Sequence, residues 1–218
     1  MKNYLPVNSQ NMEKIFNLSK SRLTNGICNL FYTKKEDICK IKKCAYHMLS
    51  TLRCASILEN QLSFENCDIT ALFISQTSAA AYIAEEKGSS VFIEPPRTSC
   101  RIKCCPQLLE YAVLTLIYCG LMQNEAVKIG MKVRKSTAEI YCNSNMPNKC
   151  SLEYLIIKKA AEFHDGRLIE YNCGAANKAI MSFPLRHTDK NLKNYNILFP
   201  ADIITDKFSS AMVILSQL

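Results

Sequence analysis

A chain of 218 residues, 48% hydrophobic and 21% charged, is long enough to bury one or two real cores and too apolar for global disorder. Its formal charge of +8 gathers at the front, where residues 1–66 carry ten Lys/Arg against five Asp/Glu while 187–218 carry three of each. Only six glycines occur, never closer than eight residues apart, which excludes the glycine-rich phosphate loops that hold most nucleotides.

No apolar run reaches the ~18 residues a membrane span needs, and residues 1–20 are too polar for a signal peptide; a cytoplasmic location is expected. The twelve cysteines, including Cys39 with Cys44 and Cys100 with Cys104 and Cys105, follow no zinc-site spacing. Most stand where a small apolar residue would, so reduced, buried thiols and no metal are expected.

In the first third, Phe16, Leu23, Ile27 and Leu30 recur at helical spacing, and a polar turn at 33–37 follows. Ile38, Ile41, Ala45, Met48, Leu52 and Ala55 then alternate steps of three and four, the mark of a coiled-coil seam. Residues 1–66 therefore predict a helical hairpin that pairs with a second copy into a four-helix bundle and a homodimer. The basic cluster Lys34, Lys35, Lys40, Lys42, Lys43 and Arg53 is expected to be a solvated face. Nucleic acid is not expected, because only Phe31 and Tyr32 offer aromatic rings beside it.

After a polar break at 63–66 the pattern turns mixed. Asp68 is placed to cap a helix carrying Ile69, Leu72, Phe73, Ala80 and Ile83, closed by Lys87-Gly88. Strands are expected at 90–94 and 100–103, a helix opened by Pro106, strands at 126–133 and 138–142, and a polar loop at 143–149. A helix at 151–164 and a hairpin of 167–172 with 178–185 complete an α+β sandwich over 67–186. The segment 187–218 is polar to Asn196 and ends in the run Ala211-Met212-Val213-Ile214-Leu215, expected to dock on the protein or a partner.

Three runs within this order resemble the histidine kinases of two-component signalling, over residues from about 10 to 186. Ser151 to Leu168, S-L-E-Y-L-I-I-K-K-A-A-E-F-H-D-G-R-L, is similar to the family's G-L-G-L-x-I-V-K-x-I-V-E-x-H-G-G-x-I, and Phe183-Pro184-Leu185 to its F-x-L-P-L ending. Cys105 to Gly120 resembles, without a gap, the family's D-P-x-x-L-x-Q-V-L-x-N-L-L-x-N-A. Ala84 to Gly88 resembles the lead-in to a strand. The resemblance implies a dimerising hairpin followed by an ATP-binding sandwich of the GHKL type.

The same alignment implies that the chemistry is lost. The family's two nucleotide-facing asparagines, one of which holds Mg²⁺, fall on Thr115 and Cys119, and its lysine falls on Met122. A thiol is a poor ligand for so hard a cation. The adenine-binding D-x-G-x-G falls near Asn143-Ser144-Asn145-Met146, and the G-L-G-L glycines become Ser151 and Glu153 or their neighbours. A carboxylate there would repel a phosphate from the helix start. About eight residues replace the long lid. The phosphoacceptor histidine of the first helix falls on Lys20 or Ser21.

Three histidines remain. His47 lies off the seam, expected to face solvent, where neutral Nε2 could take a phosphoryl group; Cys44, three residues earlier, makes a metal pair geometrically possible. His164 falls at a helix end, where a cation would complement the dipole, and His187 lies in the polar tail. The function expected is that of a non-catalytic dimeric regulator or scaffold, without ATP or Mg²⁺ and with a response regulator as a candidate partner. The alternatives are a histidine phosphotransferase using His47 and an active ATP-dependent histidine kinase.

Overall fold

The computed structural model describes residues 9–32, 37–59, 62–173 and 176–218, so most of the turn expected at 33–37 lies outside the described residues. Helix α1 (Ser9–Tyr32) and helix α2 (Ile38–Glu59) form the hairpin. Asp37 starts α2, its Oδ1 accepting the Lys40 amide at 3.1 Å. Of the α2 seam, Ile41, Met48 and Ala55 are half-buried, whereas Ile38, Ala45 and Leu52, spaced by sevens, are exposed. On α1, Phe16 and Ile27 are exposed as well, so one hairpin leaves an apolar stripe open.

The polar break at 63–66 is corrected in part by a short strand, β1 (Glu65–Asp68), antiparallel to β3 (Arg101–Cys104) in a two-stranded sheet. Nothing in E-N-C-D favours a strand; its partners do. Cys67 faces Ile102 across the pair, and the Asn66 side chain donates to the carbonyls of Asp189 at 2.8 Å and Leu192 at 3.2 Å. Asp68 then caps α3 (Ile69–Glu85) through the amides of Thr70 and Ala71 at 3.0 and 3.1 Å. Beyond α3 the chain reverses at Gly88, whose φ of 78° is natural only to glycine.

The main sheet has the order β2-β4-β5-β7-β6, from β2 (Ser90–Glu94), β4 (Ala126–Val133), β5 (Thr137–Cys142), β6 (Arg167–Cys173) and β7 (Ala176–Pro184). β2 and β4 are parallel and the other pairs antiparallel. Along β4, Val127, Ile129 and Met131 are buried under the helices while Lys128 and Lys132 point out, the alternation of a sheet covered on one face. That cover is α3, α4 (Pro106–Leu121) and α5 (Leu152–Phe163). The structure is thus the α+β sandwich with a leading hairpin that the sequence predicts.

Helix α4 is apolar on every side and nearly all of it is buried, which one sheet face cannot accomplish. The second cover comes from the carboxy-terminal segment. It holds two helices not resolved in sequence, α6 (Pro200–Thr205) and α7 (Ser210–Leu215), and α7 packs against α2, α3 and α4 together. Ala211, Val213 and Leu215 are fully buried and Ile214 almost so. A Val, Ile or Leu side chain contributes about 1.5–3 kcal/mol when buried. The apolar tail therefore docks on its own chain.

Candidate functional site

Helix α4 and the start of α5 carry the positions that the resemblance assigns to the nucleotide. Thr115 and Cys119, one turn apart on α4, are 3% and 6% exposed, and Ser144 is 3% exposed. At Gly120 the sheet and Ser144 both lie close to α4: an added methyl would lie 2.5 Å from Val127 Cγ2 of β4 and 3.4 Å from both Cys142 Sγ of β5 and Ser144 Cβ of the segment 143–151. The backbone of that segment is tied down as well. Asn143 N donates to Lys128 O at 2.9 Å, Asn145 N to Gln123 Oε1 at 3.1 Å, and Ser151 N to Asn148 O at 2.8 Å. Met122 lies outside this groove, exposed just past the end of α4.

At the start of α5 the Ser151 hydroxyl accepts the Tyr154 amide at 3.2 Å, an ordinary N-cap. Glu153 in the same turn adds a carboxylate, which the positive end of a helix favours. That carboxylate accepts two hydrogen bonds from Arg22 of α1, Nη1 to Oε1 at 2.6 Å and Nη2 to Oε2 at 2.7 Å. The two side chains are 27% and 17% exposed. Burial pushes the Glu153 carboxyl up, but the Arg22 hydrogen bonds and charge outweigh it and the net shift is downward. For Arg22, burial acts downward, Glu153 overrides it, and the guanidinium is held above its ordinary value.

Arg22 was not singled out in sequence; its partner lies 131 residues away. The one signal was its place, directly after Lys20 and Ser21 where the phosphoacceptor was expected. Both of those residues are exposed on α1. Around the ion pair, burial pushes Cys54 and Tyr118 up to about 12 and raises Cys119 further, so these groups stay protonated and neutral. A second cation ties α5 to the other helix of the hairpin, with the donor now on α5. Lys159 of α5 donates from Nζ to the last carbonyls of α2, Ile57 O at 2.9 Å and Leu58 O at 2.6 Å.

His47 is not the free surface residue expected. It is half-buried, with Nδ1 2.9 Å from Gln217 Oε1. Gln217 Nε2 is committed to the carbonyls of Val213 at 2.9 Å and Ile214 at 3.1 Å, which turns Oε1 toward the imidazole. Nδ1 must therefore carry the hydrogen, leaving a lone pair on Nε2. Among the described residues no group of three or more His, Cys, Asp or Glu is placed to hold a metal.

His164 is also a correction, since it is not a cation serving the helix dipole. It is 1% exposed; Nε2 accepts the Cys105 amide at 2.9 Å, and Nδ1 donates to Ala160 O at 2.6 Å. Burial lowers it from 6.5 to about 4, so the neutral ring ties α4 to α5. Asp165 follows with φ 56°, where the family pattern has a glycine, and pairs with Arg186. His187 is exposed in the tail. A cavity of about 250 Å³ opens elsewhere, lined by Asn66, Arg101 and the tail residues Thr188 to Lys190, and contains none of the predicted positions.

In architecture the chain has the fold of a histidine kinase core, a helical hairpin followed by an α/β sandwich. The similarity to the histidine kinase AdeS of Acinetobacter baumannii has a TM-score of 0.51 at 13% identity, covering 81% of this chain and 98% of that one. The ATP-binding domain of PrrB from Mycobacterium tuberculosis is 20% identical, with a TM-score of 0.47 over 58% of this chain and 98% of that one. The cytoplasmic segment of histidine kinase QseC is 17% identical, with a TM-score of 0.46 over 66% of this chain and 93% of that one. At such identities the likeness establishes the fold alone. No protein-family model and no curated protein matches the chain. Among the described residues no helix is long and apolar enough to cross a membrane.

Proposed function

We propose that this chain is a non-catalytic, dimeric regulator or scaffold built on the histidine kinase core, with a response regulator as a candidate partner. The observation that carries the proposal is the Arg22–Glu153 pair at the start of α5. Where a phosphate would need free amides and positive potential, the chain places its own carboxylate and neutralises it with its own guanidinium. Buried Thr115 and Cys119 supply no carboxamide, and protonated thiols are poor ligands for Mg²⁺. The residues present do not fit ATP and Mg²⁺. Calorimetric titration of the intact chain with ATP and Mg²⁺ is expected to give no binding heat, and micromolar affinity would overturn the reading.

One observation favours a second reading, phosphotransfer through His47. The carboxy-terminal Gln217 holds the tautomer in which Nε2 is the nucleophilic nitrogen. If this is the activity, labelled phosphate passes from a phosphorylated response regulator to the wild-type chain and not to His47→Ala. Absence of transfer to the wild type removes the reading.

A further inference from the structure

We infer that the start of α5 has become a cation site whose ligand is a guanidinium group, and that Arg22, bound there in cis, fixes the hairpin on the sandwich. The inference deepens the proposal that the chain's own side chains occupy the phosphate-binding end of α5, and rests on it. Its chemical basis is charge inversion. A helix start with free amides selects anions, but here Ser151 occupies one amide and the Glu153 carboxylate supplies the negative charge from within. What this place then lacks is a positive planar partner, and Arg22 meets both carboxylate oxygens with parallel hydrogen bonds.

Two further features make it a site rather than a surface ion pair. The pair is part-buried, at 27% and 17% side-chain exposure, and the groups beside it, Cys54 of α2 and Tyr118 of α4, are neutral, so its charges are less screened than those of an exposed pair. It also acts together with a second contact. Glu153 and Lys159 stand six residues apart, roughly 9 Å along α5. One receives a side chain from α1 and the other reaches the carboxy-terminal carbonyls of α2. These two attachments at separate points on α5 add to the packing of α2 on α5 and α7, and the Arg22 contact is the one that reaches α1. The fork geometry makes the site selective, since an ammonium cannot reproduce two parallel N–H bonds.

The test is hydrogen exchange of α1 amides in the full chain, with the main-sheet strands as an internal check on folding. Arg22→Ala is expected to raise exchange along α1 about tenfold while the strands keep their protection. Millimolar ethylguanidinium restores protection in that variant, and ethylammonium does not. Arg22→Lys behaves as a partial loss. Glu153→Gln reproduces the loss and abolishes rescue. The inference is overturned if Arg22→Ala leaves α1 exchange unchanged, or if ethylguanidinium protects Arg22→Ala and the Arg22→Ala/Glu153→Gln double variant alike. Failure here is separable from failure of the proposed function. ATP binding by the wild type sinks the latter alone, and an unaltered α1 in Arg22→Ala without ATP binding sinks the former alone.

Discussion

Two ionisable side chains, buried His164 and half-buried Glu110, oppose each other in their effect on stability. His164 has a folded-state value near 4 against 6.5 ordinarily, so the folded chain resists a proton that the unfolded chain accepts. Its contribution is present above 6.5 and is lost as pH falls toward 4, about 3 kcal/mol over that window. Glu110 behaves in reverse. Burial raises it from 4.5 to about 7, although the Tyr195 hydroxyl at 2.8 Å and Gln76 Nε2 at 3.0 Å both donate to it. Its contribution is present below 4.5 and lost as pH rises through 7, by a similar about 3 kcal/mol. Between pH 4.5 and 6.5 the two nearly cancel. The isosteric Glu110→Gln variant keeps both hydrogen bonds and removes one side of the balance. Its urea-unfolding free energy relative to wild type is expected to rise by about 3 kcal/mol from pH 4.5 to 7.5. A pH-independent difference would show that Glu110 does not titrate in this range. Both groups were visible in the sequence as residue types; their burial depends on chain segments far from them.

At the scale of elements, α4 dictates much of the architecture. Its sequence is apolar around the whole circumference, and such a helix needs cover on two sides. The sheet is one cover and α7 the other, which makes the tail part of the core. Leu215→Ala is therefore expected to cost about 2–5 kcal/mol, as a core deletion does, and to shift one cooperative transition seen by far- and near-ultraviolet dichroism together. A loss within a few tenths of a kcal/mol of zero would mean that α7 does not hold the core. The pattern of α4 announced that a second cover exists. It could not say that the cover is α7, because any apolar segment of that length satisfies the same requirement. Strand β1 was not legible for a related reason: with no β-formers in E-N-C-D, it exists through pairing with β3 and the tail.

For the whole molecule, the hairpin leaves Phe16, Ile27, Ile38 and Leu52 exposed, and a second copy in a four-helix bundle is the arrangement expected to cover such residues. Light scattering is expected to give twice the chain mass of 24.7 kDa. The double variant Ile38→Glu with Leu52→Glu is expected to give a monomer with an intact sandwich. A monomeric wild type would overturn the dimer.

Local chemistry determined most of the helices and strands: the hairpin helices, the Asp68 cap, the strand at 126–133 and the helix from Ser151 appear where their residues predict them, whereas β1, α6 and α7 do not. The same short-range pattern carried the resemblance to a histidine kinase core, which assigns Thr115 and Cys119 to positions where that family has asparagines. Only the tertiary structure decided which side chains meet at the start of α5. Arg22 and Glu153 are ordinary surface residue types in sequence, and His47 and Gln217 are separated by nearly the whole chain. Contacts between residues so far apart depend on how the elements pack, which no local pattern encodes.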